Sequence, residues 1–287
     1  MSHISIFLEL TRLKKPIGFM LLFWPCAWGL TIAYDFQNGF YQYLYYIFLF
    51  FFGSVLMRSA GCIVNDIVDK DFDKKVERTK NRPLASGKIS IKLAIIYSIV
   101  LCLIAFLVLI NFNLFTILLA MASMPLAFTY PLMKRYTYWP QLFLGVTFNY
   151  GLLLGWTSIV NGISLIPFIF YIGAIFWTLG YDTIYGFQDI EDDEIIGVKS
   201  TSIKFKKNPK IFLTICYVLF ITSLLISGKL LNFNLYYYVG ILFISMQLFM
   251  YQIFNFDKKN KIECLNIFKS NNILGLMVFI NILIGKI

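Results

Sequence analysis

Nine stretches of this 287-residue chain are apolar over roughly the length a membrane-crossing helix needs. A bilayer's hydrocarbon core is about 30 Å thick, which takes about 20 residues at 1.5 Å each. The stretches fall near 17–34, 42–64, 91–110, 114–132, 140–160, 164–185, 210–228, 235–254 and 271–285. Composition agrees: 59% of residues are hydrophobic and 14% charged, where a soluble domain carries about 25% charged residues. The expected fold is all-α, a polytopic membrane protein with nine transmembrane helices in a single domain spanning 1–287. Gly145, Gly151 and Gly155 in the fifth stretch would let helix backbones approach closely.

The net charge of +10 does not read as nucleic-acid binding, because the basic residues lie in the segments between apolar runs. With nine spans, one side receives the N-terminus and the loops after spans 2, 4, 6 and 8, and that side holds 22 of the 25 Lys and Arg residues. The other side holds Lys229 and Lys286, and Arg58 lies inside span 2. The positive-inside rule makes the rich side cytoplasmic. Arg12, Lys14 and Lys15 before the first run imitate a signal peptide, but no small-residue cleavage site follows, so the run reads as the first span. No Arg/Ser-rich transit segment precedes it, which favours a bacterial inner (plasma) membrane. Five scattered cysteines give no disulfide framework or zinc spacing. The one histidine, His3, stands at a start expected to be disordered, which leaves no histidine for catalysis.

Eleven of the fifteen acidic residues fall in two bursts at the cytoplasmic ends of spans 2 and 6. Residues three, four and seven apart share a helix face. Arg58, Cys62, Asn65/Asp66, Asp69 and Asp73 step in that rhythm, and so do Asp182, Tyr185, Asp189 and Asp192/Asp193. Asp71 falls off the first row and reads as solvated. Glu77, Asp71, Glu191 and Glu194 read as ordinary charged helix ends. Acids this dense repel one another unless a counter-ion is present. An oxygen-only donor set favours Mg2+ over zinc, and Mg2+ takes phosphate oxygens as ligands. Lys74, Arg78 and Arg82 follow the first row, Lys134 and Arg135 close span 4, and Lys199 follows the second row. Together they suit a diphosphate whose tail lies in the membrane.

These motifs resemble those of the UbiA superfamily of intramembrane prenyltransferases. Asn65-Asp66-x-x-Asp69-x-x-x-Asp73 is similar to its first signature, and Asp182-Thr183-x-Tyr185-x-x-x-Asp189-x-x-Asp192-Asp193 to its second. Arg78-Thr79-Lys80-Asn81-Arg82-Pro83-Leu84 matches its RTxxRPL loop, and Tyr130-Pro131-Leu132-Met133-Lys134-Arg135 its YPxxKR turn. Arg12, Pro16-Ile17-Gly18, Trp24-Pro25 and Met57 through Cys62 resemble the branch that uses 4-hydroxybenzoate. Gly186 departs from the branch, where Ala is commoner. The last three spans carry no motif.

The resemblance implies nine helices around a central cavity with a cytoplasmic cap. It implies a Mg2+-dependent transfer of a polyprenyl group from its diphosphate to the ring carbon ortho to a phenol. It assigns catalysis to Asp66, Asp69, Asp73, Asp182 and Asp189. The metal falls to Asn65, Asp69, Asp73, Asp189 and Asp193. The diphosphate falls to Asn65, Lys74, Arg78, Arg82, Lys134, Arg135 and Lys199.

Arg58 and Tyr185 are expected to meet the aromatic substrate. An Arg within a span needs a partner. Its planar fork suits the carboxylate of 4-hydroxybenzoate; an ion pair with Asp182 is the structural alternative. Haem, a naphthoate or homogentisate are alternative acceptors on the same fold. A cation-coupled transporter is the rival from another class, but its acids would lie at the bilayer midplane on broken helices.

Overall fold

The protein is described here over residues 3–287 by a computed structural model. Among these residues there are fourteen α-helices and no strand. In chain order they are α1 (His3–Leu10), α2 (Ile17–Ala33), α3 (Phe40–Val68), α4 (Lys70–Asp73), α5 (Ile91–Leu109), α6 (Leu114–Thr129) and α7 (Met133–Tyr136). The second half contains α8 (Pro140–Val160), α9 (Leu165–Gly186), α10 (Ile190–Ile196), α11 (Thr201–Lys204), α12 (Pro209–Leu230), α13 (Leu235–Met246) and α14 (Lys261–Lys286).

All nine expected spans are helical, but seven of the described helices are long and apolar enough to cross a membrane. The sixteen residues of α6 qualify only with their continuation through Tyr136. Two expected spans fall short. The α2 helix has 17 residues, and α13 stops after 12, where a π-helical turn, Gln247–Ile253, takes over. That turn carries Gln247 and Gln252, which bond to each other and to Ser270 and Asn271 of α14. The last span begins ten residues earlier than expected, because its first turns hold Lys261, Glu263 and Lys269, which an apolar count passes over. Asn260 caps it, accepting a hydrogen bond from the Glu263 amide at 3.1 Å. His3 also departs from expectation, since it opens a helix rather than a disordered start.

In lipid there is little hydrophobic gain in bringing helices together, so close packing and buried hydrogen bonds must hold the bundle. Both are visible. The α2 and α8 helices are closely apposed. A Cβ on Gly29 would lie 1.9 Å from the Leu152 carbonyl oxygen, and one on Gly155 would lie 2.2 Å from that of Cys26. A Cβ on Gly151 would lie 2.3 Å from the Cys26 sulfur, and one on Gly145 3.0 Å from the Ile175 carbonyl oxygen. Trp28 and Trp177 meet at 5.1 Å in the centre of the larger core, flanked by Phe170 and Phe220. Trp177 donates to Asn271 at 2.8 Å, Trp24 to Asn272 at 2.9 Å, and Asn149 to Thr178 at 2.8 Å. Each such bond within a bundle contributes about 0.6–2 kcal/mol. A second core joins α1, α3 and α5 beneath the loop that follows α4.

Candidate active site

The first acidic row survives the end of its helix. Asp69 caps α3 with non-helical dihedrals (φ −94°, ψ 1°). Even so, its amide bonds to the Asn65 carbonyl at 2.9 Å, and the Asp73 amide bonds to the Asp69 carbonyl at 2.8 Å. One side of the chain therefore presents Asn65, Asp69 and Asp73 in sequence. The second row turns once after α9 and resumes on α10, where the Asp193 amide bonds to the Asp189 carbonyl at 2.8 Å. Asp66, Asp69 and Asp73 are buried, while Asp71 is exposed and pairs with Lys74 at 3.2 Å.

Cations hold these carboxylates and join the two rows. Arg78, which follows the first row, turns its guanidinium onto Asp189 of the second. Its Nε lies 2.8 and 3.0 Å from the two carboxylate oxygens, with Nη2 on the same group. Its Nη1 donates to the Tyr185 hydroxyl at 3.1 Å. Lys134 Nζ lies 2.6 Å from Asp69 Oδ2, and Asn65 donates to that same oxygen at 3.1 Å. Arg82 bridges Asp66 at 3.1 Å and Asp73 at 2.9 Å, and Arg12 closes on Asp66. The rows therefore lie on one side of the bundle, linked by the Arg78–Asp189 bridge.

The contact that joins the rows runs from cation to carboxylate. Among the described residues no three acid, imidazole or thiol groups stand close enough to hold one metal ion. The reason is the repulsion noted above, relieved here by guanidinium and ammonium groups. The donor chemistry nevertheless suits a hard divalent cation. Asp69 Oδ1 is buried without a hydrogen-bond partner. Burial also raises the Asp69 carboxyl above its ordinary range, although Lys134 opposes the shift. Burial, reinforced by Asp189, pushes Asp193 up to about 6.

Three of the expected diphosphate ligands face elsewhere. Lys74 is taken by Asp71 on the exposed side. Arg135 donates to the Val68 carbonyl at 2.7 Å and lies over the Phe72 ring, bracing α7 against the end of α3. Lys199 donates to the Tyr136 carbonyl at 3.2 Å, bracing the same turn. Arg12 is a family match and a topology signal in the sequence, with no site role expected of it there. It has a positive φ of 55° and reaches Asp66 from outside the first span. Its position before an apolar run disguised that reach.

Arg58 makes no ion pair with Asp182 among the described residues. Its Nε is buried without a partner, and its guanidinium lies 5.2 Å from the Phe148 ring. A Cβ on Gly18 would meet that Nε at 2.8 Å. Arg58, Tyr130 and Phe148 wall a mainly apolar cavity of about 200 Å³ bounded by α2, α3, α5, α6 and α8. Gly61 is on the same wall, and one turn on along α3 comes Asn65, so cavity and acids share one helix face. Tyr185 turns toward Arg78 and packs at a tilt against Phe268 of α14, ring centroids 4.3 Å apart. A span without any motif thereby touches the site.

Residues 22–280 match the UbiA prenyltransferase family. A protein of Rattus norvegicus named "4-hydroxybenzoate polyprenyltransferase, mitochondrial" is 41% identical over 282 residues, which covers 98% of this chain and 75% of that one. The Lithospermum erythrorhizon "4-hydroxybenzoate geranyltransferase 1" is 42% identical, covering 100% of this chain and 92% of its own. Among solved structures, a UbiA homolog from Aeropyrum pernix K1 superposes with a TM-score of 0.73 at 23% identity, over 94% and 97% of the two chains. One from Archaeoglobus fulgidus bound to GPP and Mg2+ gives 0.72 at 18% identity, over 98% of each. With the motifs in order, the rows on one side and the fold shared along nearly its whole length, this chain belongs to the UbiA prenyltransferase family.

Proposed function

We propose that this protein transfers a polyprenyl group from polyprenyl diphosphate to the ring carbon ortho to the hydroxyl of 4-hydroxybenzoate, releasing diphosphate, in ubiquinone biosynthesis. The observation that carries the reading is the joining of two acidic rows beside an apolar chamber with a free guanidinium on its wall. The names of relatives about 42% identical over nearly the whole chain support the acceptor and the donor class.

The headgroup end is charged and the tail end is greasy. Arg78, Arg82 and Lys134 stand where a diphosphate would meet them, each now neutralised by an aspartate. Asn65, Asp69, Asp73, Asp189 and Asp193 would hold Mg2+, which would neutralise charge on the departing diphosphate. The arginines and lysine add donors aimed at the same developing charge. Asp66 positions Arg12 and Arg82. The bond between the allylic carbon and oxygen breaks and its electron pair leaves with diphosphate. A ring π pair then forms the new carbon–carbon bond, and the ring proton is lost. The dry cavity keeps water from capturing the allylic cation. The Arg58 Nε finds its acceptor in the substrate carboxylate, a charge-assisted fork that sets the ring's position.

We also read the acid-bearing side as facing the cytoplasm of a bacterial plasma membrane. The lopsided distribution of Lys and Arg supports that orientation. An impermeant thiol reagent on oriented vesicles should reach a cysteine placed at Lys207 only from the cytoplasmic side, and one at Lys229 only from the opposite side. The activity itself is tested with membranes containing the protein, a polyprenyl diphosphate and labelled 4-hydroxybenzoate. Label should pass into a lipid-soluble product with Mg2+ and not with chelator; metal-independent transfer would refute the reading.

A further inference from the structure

A second charged region lies beside α10, on the same side of the bundle as the acidic rows. It is assembled from two loops about fifty residues apart in sequence. One joins α11 to α12 and, with the helix ends it connects, carries Lys204, Lys206, Lys207 and Lys210. The other joins the π-helical turn to α14 and, with the first residue of α14, carries Lys258, Lys259 and Lys261. Lys258 Nζ donates to the Lys206 carbonyl at 3.1 Å, and Lys210 Nζ to the Phe254 carbonyl at 3.3 Å, so the loops are fastened to each other. Between them lies an open depression of about 510 Å³.

The charges are largely uncompensated. Lys206 pairs with Glu194 and Lys261 with Glu191. Among the described residues Lys204, Lys207, Lys210, Lys258 and Lys259 form no ion pair, and all five are exposed. Asp257 is the one acid on the rim, and it caps its own turn by accepting from the Lys259 amide at 3.0 Å. Beside the lysines stand side chains that water would not tolerate in a row. Phe254 is 79% exposed, Ile211 62% and Ile215 53%. Ile215 follows one turn along α12 from Ile211, so an exposed apolar face continues along the helix from the lysines.

A positive-inside bias alone places lysines in loops but does not gather two loops around a depression with an apolar sill. We propose that this depression binds the headgroup of an anionic phospholipid. The phosphate would sit against Lys210 and Lys258, which line the depression, with Lys207 and Lys259 on the adjoining loop positions, and the acyl chains would run down past Phe254, Ile211 and Ile215. Lysines near a membrane surface attract anionic lipid at about a fivefold preference per charge. Two held lysines with two more beside them therefore select such lipids from a mixed bilayer.

The test uses the full chain in nanodiscs of phosphatidylcholine mixed with phosphatidylglycerol. Lipids retained after gentle extraction are counted by native mass spectrometry. Phosphatidylglycerol should be enriched at least fivefold over its share in the disc. The K207Q/K210Q/K258Q/K259Q variant should bring enrichment close to one. A variant with equal charge loss in other loops, K14Q/K75Q/K88Q/K92Q, should keep it. Equal losses in both variants would reduce the effect to general charge and overturn the proposal. So would displacement of the lipid by millimolar inorganic phosphate, which would mark a free-anion site. If the patch variant does not fold, photoactivatable phosphatidylglycerol on the wild-type protein decides. Label should concentrate in residues 204–215 and 254–261, and uniform labelling of all loops would overturn the assignment.

Discussion

Replacing Arg58 by Lys separates the two halves of the site. The substitution keeps the positive charge inside α3 and the cation's contact with the Phe148 ring. The lysine nitrogen would stand near the present guanidinium carbon, 5.2 Å from that ring. What is lost is the fork, including the Nε that is buried without a partner. A hydrogen bond to a charged group contributes about 1.5–3 kcal/mol, or about 10- to 150-fold in an equilibrium constant. The KM for 4-hydroxybenzoate should rise by that factor. Asp69, Asp189, Arg78 and Lys134 pair among themselves and not with Arg58, so the KM for polyprenyl diphosphate should stay within about twofold. Initial rates with each substrate varied in turn, in membranes and with saturating Mg2+, measure both. The methyl ester of the acceptor adds an internal check, because it should lose the distinction between wild type and variant. An unchanged aromatic KM, or equal rises in both constants, would refute the assignment of Arg58 to the carboxylate.

Further outcomes follow from the ion pairs and the packing. Removing the guanidinium in Arg78→Gln frees Asp189, so Mg2+ alone should bind more tightly while the prenyl diphosphate binds at least tenfold more weakly. Calorimetric titration checks both signs, and a weaker Mg2+ affinity would contradict the bridge. Asp193 titrates near 6 when folded, above its ordinary value. The metal-free protein should therefore lose stability as pH rises toward 6 and level off above it. The metal competes for the ionised form, so Mg2+ binding should weaken below pH 6 by up to tenfold per unit; Asp193→Asn should remove both trends. Gly155→Ala forces a methyl group against the Cys26 carbonyl and the Leu30 amide at 2.2 and 2.5 Å. It should cost about 1–3 kcal/mol by overpacking, read as a lower unfolding temperature in detergent.

Much of this fold is legible in the chain because lipid imposes a simple length rule, and the glycines at 145, 151 and 155 announce where helices touch. The rule fails where polar side chains are satisfied inside the bundle or at its edge. Gln247 and Gln252 end α13 as an α-helix because their amides bond to α14, and Lys261 and Glu263 hide its true start. The acidic rows are equally legible, since an i, i+4 rhythm of carboxylates has few bland explanations. Their partners are not. Arg12 and Lys134 belong to segments rich in positive charge for topological reasons, and helix periodicity says nothing about which cation crosses to which acid. The link between Tyr185 and Phe268 is a tertiary contact between distant spans, and no local pattern encodes it.

The central claim is that Asp69 and Asp189, on separate helices, act through one shared headgroup and metal. Equilibrium binding of a labelled prenyl diphosphate to wild type, Asp69→Asn, Asp189→Asn and the double variant, with and without Mg2+, tests it directly. Partners in one ion cluster are not additive. Each single variant should therefore abolish the Mg2+-dependent part of binding, and the double variant should lose no more. Two independent, additive losses, or Mg2+-dependent binding that survives in either single variant, would contradict it.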